Sequence, residues 1–269
     1  MLHELKRPDQ SIPNLDIQFP EVQAIIEGNN PGWVFVDDLM SPTAALVWAQ
    51  GIQGFYLIGD SDSKIFLEEL NTFTDRELRP RLIERGKTWF EISGDENWDS
   101  AIEKIYRNRV LEKSQQWVYT LTTTTATLFL QDQLAGHIEL KKIDMDIFPS
   151  LSIESKKYLL FKVNDFWDNL DAFLRIGLGY VVLVGDEIAS LCFSGFVAGN
   201  IHAIDIETKE SHRRKGYAEI VSQAFVENCI NMGFQPHWDC MAENTASIRL
   251  AEKLGFTKCN EYTLFSFSL

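Results

Sequence analysis

Three basic residues and a glycine stand between a strand-like and a helix-like segment of this sequence. Arg213, Arg214 and Lys215 directly precede Gly216, and the apolar period of a helix begins at Tyr217. Glycine omits the Cβ that would hold an anionic ligand away from the backbone. The free N–H groups and the dipole at a helix start favour a phosphate. The segment therefore predicts a site for a phosphate-bearing ligand, in a chain whose net charge is −14.

A second strand and helix follow this first pair, and together they form one pattern over residues 201–256. Ile201–Thr208 is a short apolar strand, and Gln235–Met241 has the composition of another. Asn244 then opens the helical segment ENTASIRLAEKLGF. The expected order is strand, glycine turn, helix, strand and helix, and any chemistry must be built on these elements.

The two elements, in this order and at this spacing, resemble the acetyl-CoA site of the GCN5-related N-acetyltransferase (GNAT) family. The signature of that family is Arg or Gln, two residues, Gly, one residue, then Gly or Ala. Arg213, Gly216 and Ala218 fill it here. The second element of the family has an Asn, here Asn244, and ends in EKxGF. The segment PHWDCMAENTASIRLAEKLGF also resembles a two-domain branch of the family that includes zwittermicin A resistance acetyltransferases. The core of the resemblance to the family covers residues 138–269.

The resemblance implies acetyl-CoA as co-substrate and assigns residues to it. The acetyl group and the pantetheine arm would run along the backbone around Ile206, Glu207 and Thr208. Asn244 would hold the pantetheine arm, with Ser247 assisting one turn later. Asn244 is equally suited to be the N-cap of its helix, with Ser247 as a neighbour in the capping turn. The pyrophosphate would lie on the N–H groups of Arg214, Lys215, Gly216, Tyr217 and Ala218.

Acetyl transfer to an amine requires a base, a stabilised carbonyl oxygen and a neutralised leaving thiolate. His202 is one candidate base, because several relatives carry Glu or His near this point and histidine titrates near neutrality. A hydrogen-bonded structural histidine is the alternative. Glu207 is the second candidate, and Asp205 lies on the same face of the strand as Glu207. Either carboxylate could instead be surface charge.

The expected proton donor to the thiolate is missing from its usual place. Many relatives have a Tyr after the Leu of the last helix, and this chain has Ala251 there. Either another hydroxyl, such as Tyr217 or Tyr262, takes the role, or the thiolate leaves without a dedicated acid.

A chain of 269 residues has room for two domains. The expected fold class is α/β with a mixed sheet. Residues 131–269 would form the acyl-CoA-binding GNAT domain. Residues 1–130 would form an accessory mixed α/β domain that restricts access to the cleft, and a degenerate copy of the same fold is one interpretation of it. The run TTTTAT and the polar QDQLAG place the expected boundary near residue 130.

Composition excludes several classes of partner. The strong negative charge argues against nucleic acid, which requires a basic stripe. No apolar run is long enough to cross a membrane. MLHELKRPDQ contains no apolar signal region, so a cytoplasmic protein is expected. The four cysteines form no CxxC pair, and no metal site is predicted. The sequence does not indicate an oligomeric state.

The acceptor is predicted from an acidic segment that the resemblance places on the substrate side. Residues 165–176 are predicted as one helix, with Asp165, Asp168 and Asp171 on one face and Phe166 and Trp167 beside them. Such a face would bind a small cationic amine by charge and cation–π contact. The alternative is a solvated outer face with both rings turned to the core.

Three functions follow from these observations. The first is N-acetyl transfer to a small amine. The second is an acyl-CoA-binding sensor or protein-interaction module without turnover, which the missing tyrosine at Ala251 favours. The third is acetylation of protein amino-termini or lysines, which requires an open groove for a peptide.

Overall fold

The computed structural model of the protein describes residues 1–6, 15, 17–122 and 137–269. The chain forms two compact units, a first unit of Met1–Trp117 with Glu261–Leu269 and a second unit of Val118–Asn260. The predicted boundary near residue 130, and the threonine run beyond Thr122, lie outside the described residues. Within the described ranges, no helix is both long and apolar enough to cross a bilayer.

Strands and helices alternate along most of the described chain. The strands are β1 (His3–Glu4), β2 (Gly32–Val36), β3 (Ala44–Ala49), β4 (Gly54–Gly59), β5 (Trp89–Ser93), β6 (Glu112–Leu121), β7 (Ile138–Lys142), β8 (Gly179–Val184), β9 (Glu187–Ala198), β10 (Ile201–Thr208), β11 (Gln235–Met241) and β12 (Phe256–Ser268). The helices are α1 (Pro20–Ile26), α2 (Lys64–Phe73), α3 (Arg79–Glu84), α4 (Glu96–Ile105), α5 (Ile153–Phe166), α6 (Leu170–Ile176), α7 (Tyr217–Asn231) and α8 (Thr245–Lys253). A π-helical turn joins α2 to α3.

The first unit is built on a mixed sheet. Strands β1 to β4 pair antiparallel in chain order, and β5 joins β4 in parallel. The end of β12 pairs antiparallel with β5. Every residue of β3 is buried, which is typical of a strand covered on both faces. Large aromatic side chains fill the core, including Trp48, Phe55, Phe66, Phe90 and Trp98.

The second unit has a sheet of the same kind. Its strands follow the order β11-β10-β9-β8-β7, with β10 and β11 parallel and the other pairs antiparallel. Helix α7 connects β10 to β11 and packs on β8, β9 and β10, while α5 packs on β9. Residues 188–198 of β9 are all buried as a result.

Both units repeat three antiparallel strands, a helical connection, a parallel strand and a further helix. The predicted mixed α/β fold class is confirmed by this arrangement. The repetition also favours the interpretation of the first unit as a degenerate copy of the second.

One local prediction about helices is wrong. Helix α5 continues to Phe166, the backbone of Trp167 is extended, and α6 begins only at Leu170, capped by Asn169. The expected helix over residues 165–176 is therefore two helices with a break. Ser63 stands at the N-cap of α2, but its hydroxyl makes no capping hydrogen bond and donates to Asp37 Oδ2 at 3.0 Å instead.

Candidate functional site

Strand β10 loses one of its two neighbours part of the way along its length. The parallel ladder with β11 runs only from Ile201 to Ala203 in the described residues, although β10 continues to Thr208. On its other side, β10 stays paired with β9 to its end, after a bulge between Ala203 and Ile204. Residues 204–208 therefore have one backbone edge outside the ladder, where a ligand can pair with the strand.

The turn after β10 contains two residues with left-handed backbone. Arg214 has a φ of 62° and Gly216 a φ of 82°. Gly216 is the N-cap of α7, so no side chain caps the first turn of that helix. A Cβ built on Gly216 would meet no atom within 4 Å, which shows open space beside this backbone. Successive N–H groups in such a turn, together with the helix dipole, form an anion site.

A cleft of about 520 Å³ joins the edge of β10, this turn and the start of α8. Glu207, predicted as a base, lines the cleft. Lys215 is outside the lining, and its Nζ lies 3.4 Å from His212 Nδ1. The other residues predicted to bind the cofactor all line the cleft: Ile206, Thr208, Arg213, Arg214, Gly216, Tyr217, Ala218, Asn244 and Ser247. Residues from distant parts of the sequence thus meet around one space.

The start of α8 is fixed by two hydrogen bonds. Asn244 is the N-cap, and its Oδ1 accepts from the backbone N–H of Ser247 at 3.1 Å. Trp238 Nε1–H donates to Ser247 Oγ at 3.0 Å. The Asn244 side chain therefore caps α8, which is the alternative that the sequence offered, and it also lines the cleft.

A charged cluster lies on the face of β10 that carries Asp205 and Glu207. Lys162, on α5, forms an ion pair with Glu207. Burial raises the pKa of Asp205 to about 6, opposed by the Lys162 ammonium and supported by the charges of Glu207 and Asp165. The charges of Asp165, Asp205 and Glu207 all act on the Lys162 ammonium, and Asp205 can exchange a proton near neutral pH.

His202 lies outside the lining of the cleft. Its side chain is only 1% exposed, its ring stacks on Phe234 at 4.5 Å, and Ser194 Oγ lies 2.8 Å from its Nδ1. Burial lowers the pKa of His202 to about 4. The alternative expected from the sequence, a hydrogen-bonded structural histidine, describes this environment. A catalytic role for His202 stays a prediction, which these contacts do not favour.

The predicted acidic face on the acceptor side is wrong. Asp165 lies in the last turn of α5, Asp168 lies in the break, and Asp171 is in the first turn of α6, so the three carboxylates share no helical face. The neighbouring rings turn into the core, with Phe166 8% and Trp167 1% exposed. Asp165 alone among these acids contributes to the pKa of Asp205.

The three residues considered in connection with the missing acid differ in their surroundings. Ala251 is fully buried and carries no polar group. Tyr217 lines the cleft, with its ring centroid 6.0 Å from that of His212. The Tyr262 ring packs 5.2 Å from Phe19 within the first unit. Tyr217 is therefore the one of the two proposed tyrosines that the cleft contains.

Sequence reasoning missed two residues of α5 that face the cluster, Tyr158 and Lys162. Tyr158, Lys162 and Asp165 have spacings of four and three residues, which place them on one face of that helix. The negative charge of Glu207, after burial, raises the pKa of Tyr158, which places this ring beside the same carboxylate. The spacing was a usable signal, but the sequence did not show which strand the face would meet.

The chain is similar to known proteins in sequence and in fold. The family model of GNAT acetyltransferases matches residues 18–265, and the chain belongs to this family. An uncharacterized N-acetyltransferase of Bacillus subtilis (strain 168), YdfB, is 29% identical over 246 residues, covering 91% of this chain and 88% of that protein. The family and this relative both indicate N-acetyltransferase activity.

Two solved structures show the same fold. A GCN5-related N-acetyltransferase-like protein from Streptococcus suis 89/1591 aligns with a TM-score of 0.67 at 24% identity, covering 94% of each chain. A tandem GNAT protein from the clavulanic acid biosynthesis pathway aligns with a TM-score of 0.54 at 10% identity, covering 91% of this chain and 87% of that one.

Proposed function

We propose that the second unit transfers an acetyl group from acetyl-CoA to an amine of a small, cationic molecule. The observation that carries this proposal is the cleft at the free edge of β10, with the positive turn at residues 213–218 beside it. A backbone edge and an anion-binding turn suit a ligand that has amides along its length and phosphates at its end. Open space lies beside the backbone of Gly216, because a Cβ built there meets no atom within 4 Å.

Residues of the cleft are assigned to parts of acetyl-CoA as follows. The N–H groups of residues 214–218 hold the pyrophosphate, with Arg213 and Arg214 adding positive charge. The free edge around Ile206 and Thr208 pairs with the pantetheine arm and directs N–H groups toward the acetyl carbonyl. Asn244 and Ser247 flank the arm from α8. Preorganised N–H donors of this kind stabilise the negative charge that develops on the oxygen.

The acceptor side is assigned to the charged cluster. Glu207 and Asp165 attract the ammonium form of the amine, and Asp205, which is not in the lining of the cleft, takes a proton from it through water. When bound, acetyl-CoA supplies the thioester whose carbonyl carbon the neutral amine attacks. The new C–N bond replaces the C–S bond, the nitrogen gives up its second proton to solvent, and the sulfur leaves as thiolate. The proton held by Asp205 returns to solvent, which also protonates the thiolate.

The cation preference rests on the balance of charge in the cluster. In the described part of the chain, Asp205 and Glu207 outnumber Lys162, the ammonium that pairs with Glu207. An additional cation is attracted to such a group at short range. The resemblance to the branch with zwittermicin A resistance acetyltransferases suggests an amino-group-bearing antibiotic or a polyamine-like metabolite as the acceptor.

The first unit is proposed to have no cofactor chemistry of its own. In the connection between β4 and α2, acidic residues occupy the place that basic residues have in the second unit, with Asp60 and Asp62 after Gly59. Asp37 also lies beside the helix start, accepting from Ser63 Oγ. These carboxylates repel a pyrophosphate. We also propose that residues 1–130 restrict access to the cleft.

A binding module without turnover is the second candidate function. The buried Ala251 favours it, because this position has no hydroxyl to donate to a leaving thiolate. The two functions differ in one measurement. Incubation with acetyl-CoA and a panel of amines releases free thiol from an enzyme, at a rate above hydrolysis, and releases none from a sensor.

Donor binding is tested with two aspartate substitutions matched in backbone geometry. Gly216 and Gly199 both have positive φ, 82° and 54°, and neither has an atom within 4 Å of a built Cβ. Gly199 lies outside the cleft lining. We expect Gly216→Asp to weaken acetyl-CoA binding at least tenfold in a calorimetric titration, since it adds a side chain and a negative charge beside the phosphates. Gly199→Asp should bind normally, and equal affinity in both variants would contradict the assignment.

The acceptor assignment is tested with two asparagine substitutions. Asp165→Asn removes a carboxylate of the cluster, whereas Asp168→Asn changes an exposed residue in the break between α5 and α6. We expect Asp165→Asn to raise KM about two- to tenfold for a cationic amine and not for a neutral one. The KM for acetyl-CoA should stay the same. Equal constants for both variants with every amine would remove the cluster from substrate recognition.

A further inference from the structure

The indole of Trp238 is held rigidly beneath the start of α8. Trp238 lies on β11, its side chain is 2% exposed, and its ring packs against Phe256 with centroids 5.6 Å apart. From this position its Nε1–H donates to Ser247 Oγ at 3.0 Å. A buried ring that cannot rotate offers a donor in a fixed direction, so the oxygen of Ser247 is fixed as well.

The remaining hydrogen-bonding capacity of Ser247 is narrowly defined. A serine hydroxyl has one proton and two lone pairs. One lone pair accepts from Trp238, and the backbone N–H of Ser247 is committed to Asn244 Oδ1. Cys240 is a further neighbour of this hydroxyl: burial raises the pKa of Cys240, with hydrogen bonds to Ser247 and Trp238 opposing it. In the empty cleft the Ser247 proton can point to the Cys240 sulfur, and an acceptor on a ligand in the cleft would compete for that proton.

Ser247 lines the cleft between two apolar residues of the same helix, Ala246 and Leu250. A pantetheine arm has the complementary character, since it is an aliphatic chain interrupted by amide groups. With its oxygen already accepting from Trp238, Ser247 has its proton to offer to a ligand, and the acceptors along that arm are chiefly amide carbonyl oxygens.

We infer that Trp238 is a positioning residue for the donor substrate, which holds the Ser247 hydroxyl so that its proton meets an amide carbonyl of the pantetheine arm. The inference rests on the proposed function, because it requires that acetyl-CoA occupies this cleft. Trp238 itself touches neither substrate, and its effect passes through Ser247 alone. No bond is made or broken in this step, so the effect belongs to substrate binding.

The test compares Trp238→Phe, which keeps a buried ring and removes the N–H, with Ser247→Ala and the double variant. We expect each single variant to raise the KM and Kd for acetyl-CoA about three- to tenfold, the effect of one hydrogen bond, with kcat within about twofold. The double variant should lose no more than Ser247→Ala does, because both changes remove the same contact. Ser247→Thr, which retains a hydroxyl, should bind within about twofold of the native protein.

The adenosine bisphosphate fragment of coenzyme A, which lacks the pantetheine arm, separates the possible outcomes. Its affinity should be unchanged in all these variants. Equal losses for the fragment and for acetyl-CoA would overturn the inference, since they indicate a loosened cleft. A decrease confined to kcat would also overturn the inference, because it would indicate that Ser247 acts on the leaving sulfur and not on the pantetheine arm.

The inference can still be tested with Ser247→Ala if Trp238→Phe misfolds. If that variant melts before it can be titrated, unchanged acetyl-CoA affinity in Ser247→Ala would still overturn the inference. Failure of the native protein to bind either acetyl-CoA or the fragment would instead contradict the proposed function, so the two failures are distinguishable.

Discussion

The ammonium of Lys162 pairs with the carboxylate of Glu207 and so joins helix α5 to strand β10 beside the cleft. Asp205 lies on the same face of β10, and its pKa depends on both partners: the charge of Lys162 lowers it and the charge of Glu207 raises it. Burial is the largest cause of the raised pKa of Asp205, and the two charges of the ion pair adjust it in opposite directions. The first two predictions follow from this relationship.

The first prediction concerns pH dependence. The pKa of Asp205 is raised to about 6, so this carboxyl is protonated, and unable to act as a base, at lower pH. We expect kcat/KM for the amine to rise about tenfold per pH unit up to about pH 6 and then to level off, until the acceptor itself titrates. Asp205→Asn should lower kcat about a hundredfold and abolish the acidic limb, which is the rising part of the pH–rate profile below about pH 6. A variant with an unaltered limb would exclude Asp205 as the base.

The second prediction concerns the two members of the ion pair, whose charges shift the pKa of Asp205 in opposite directions. Lys162→Met removes a charge that lowers the pKa of Asp205, so the acidic limb should move to higher pH. Glu207→Gln removes a charge that raises it, so the limb should move to lower pH. Shifts of roughly half a unit are expected for charges at this range. Rates with saturating acetyl-CoA from pH 5 to pH 8 measure both shifts, and shifts in the same direction would contradict the assignment.

The third prediction concerns His202 and acid stability. Burial lowers the pKa of His202 to about 4, well below that of an unfolded chain near 6.5, so the unfolded state binds a proton first. This residue therefore contributes stability above about pH 6.5 that is lost as the pH falls toward 4, by roughly 1–3 kcal/mol. His202→Gln should reduce the fall in melting temperature across that window, although it melts lower at pH 7.

The control for His202 is kinetic. A structural histidine outside the cleft predicts that His202→Gln, once folded, retains kcat within about threefold at pH 7.5. A loss of two to three orders of magnitude with an intact melting profile would restore His202 as the general base.

The fourth prediction concerns the number of donor sites. Asp60 and Asp62 follow Gly59 in the first unit, where the second unit has Arg213, Arg214 and Lys215 before Gly216. Because a pyrophosphate is repelled by the first arrangement and attracted by the second, we expect one acetyl-CoA per chain. Calorimetric titration measures the ratio directly. A ratio of two, reduced to one by Gly216→Asp, would show that the first unit has kept a functional cofactor site.

The sequence by itself determined the local parts of the site. Ile201–Thr208, the start of α7 at Tyr217 and Gln235–Met241 were predicted with the bounds that the structure has. Each of these depends on neighbours in sequence: apolar periodicity defines the elements, and Gly216 supplies a left-handed φ that side chains disfavour.

Only the tertiary structure decided which distant residues meet. Lys162 and Glu207 belong to elements whose pairing depends on how α5 packs on the sheet, and no local pattern encodes that. The same holds for the break after Phe166, which turned Phe166 and Trp167 into the core and separated Asp165 from Asp168. The low dielectric that shifts Asp205 and His202 in opposite directions arises from the packed surroundings, since the loss of solvation disfavours whichever form is charged.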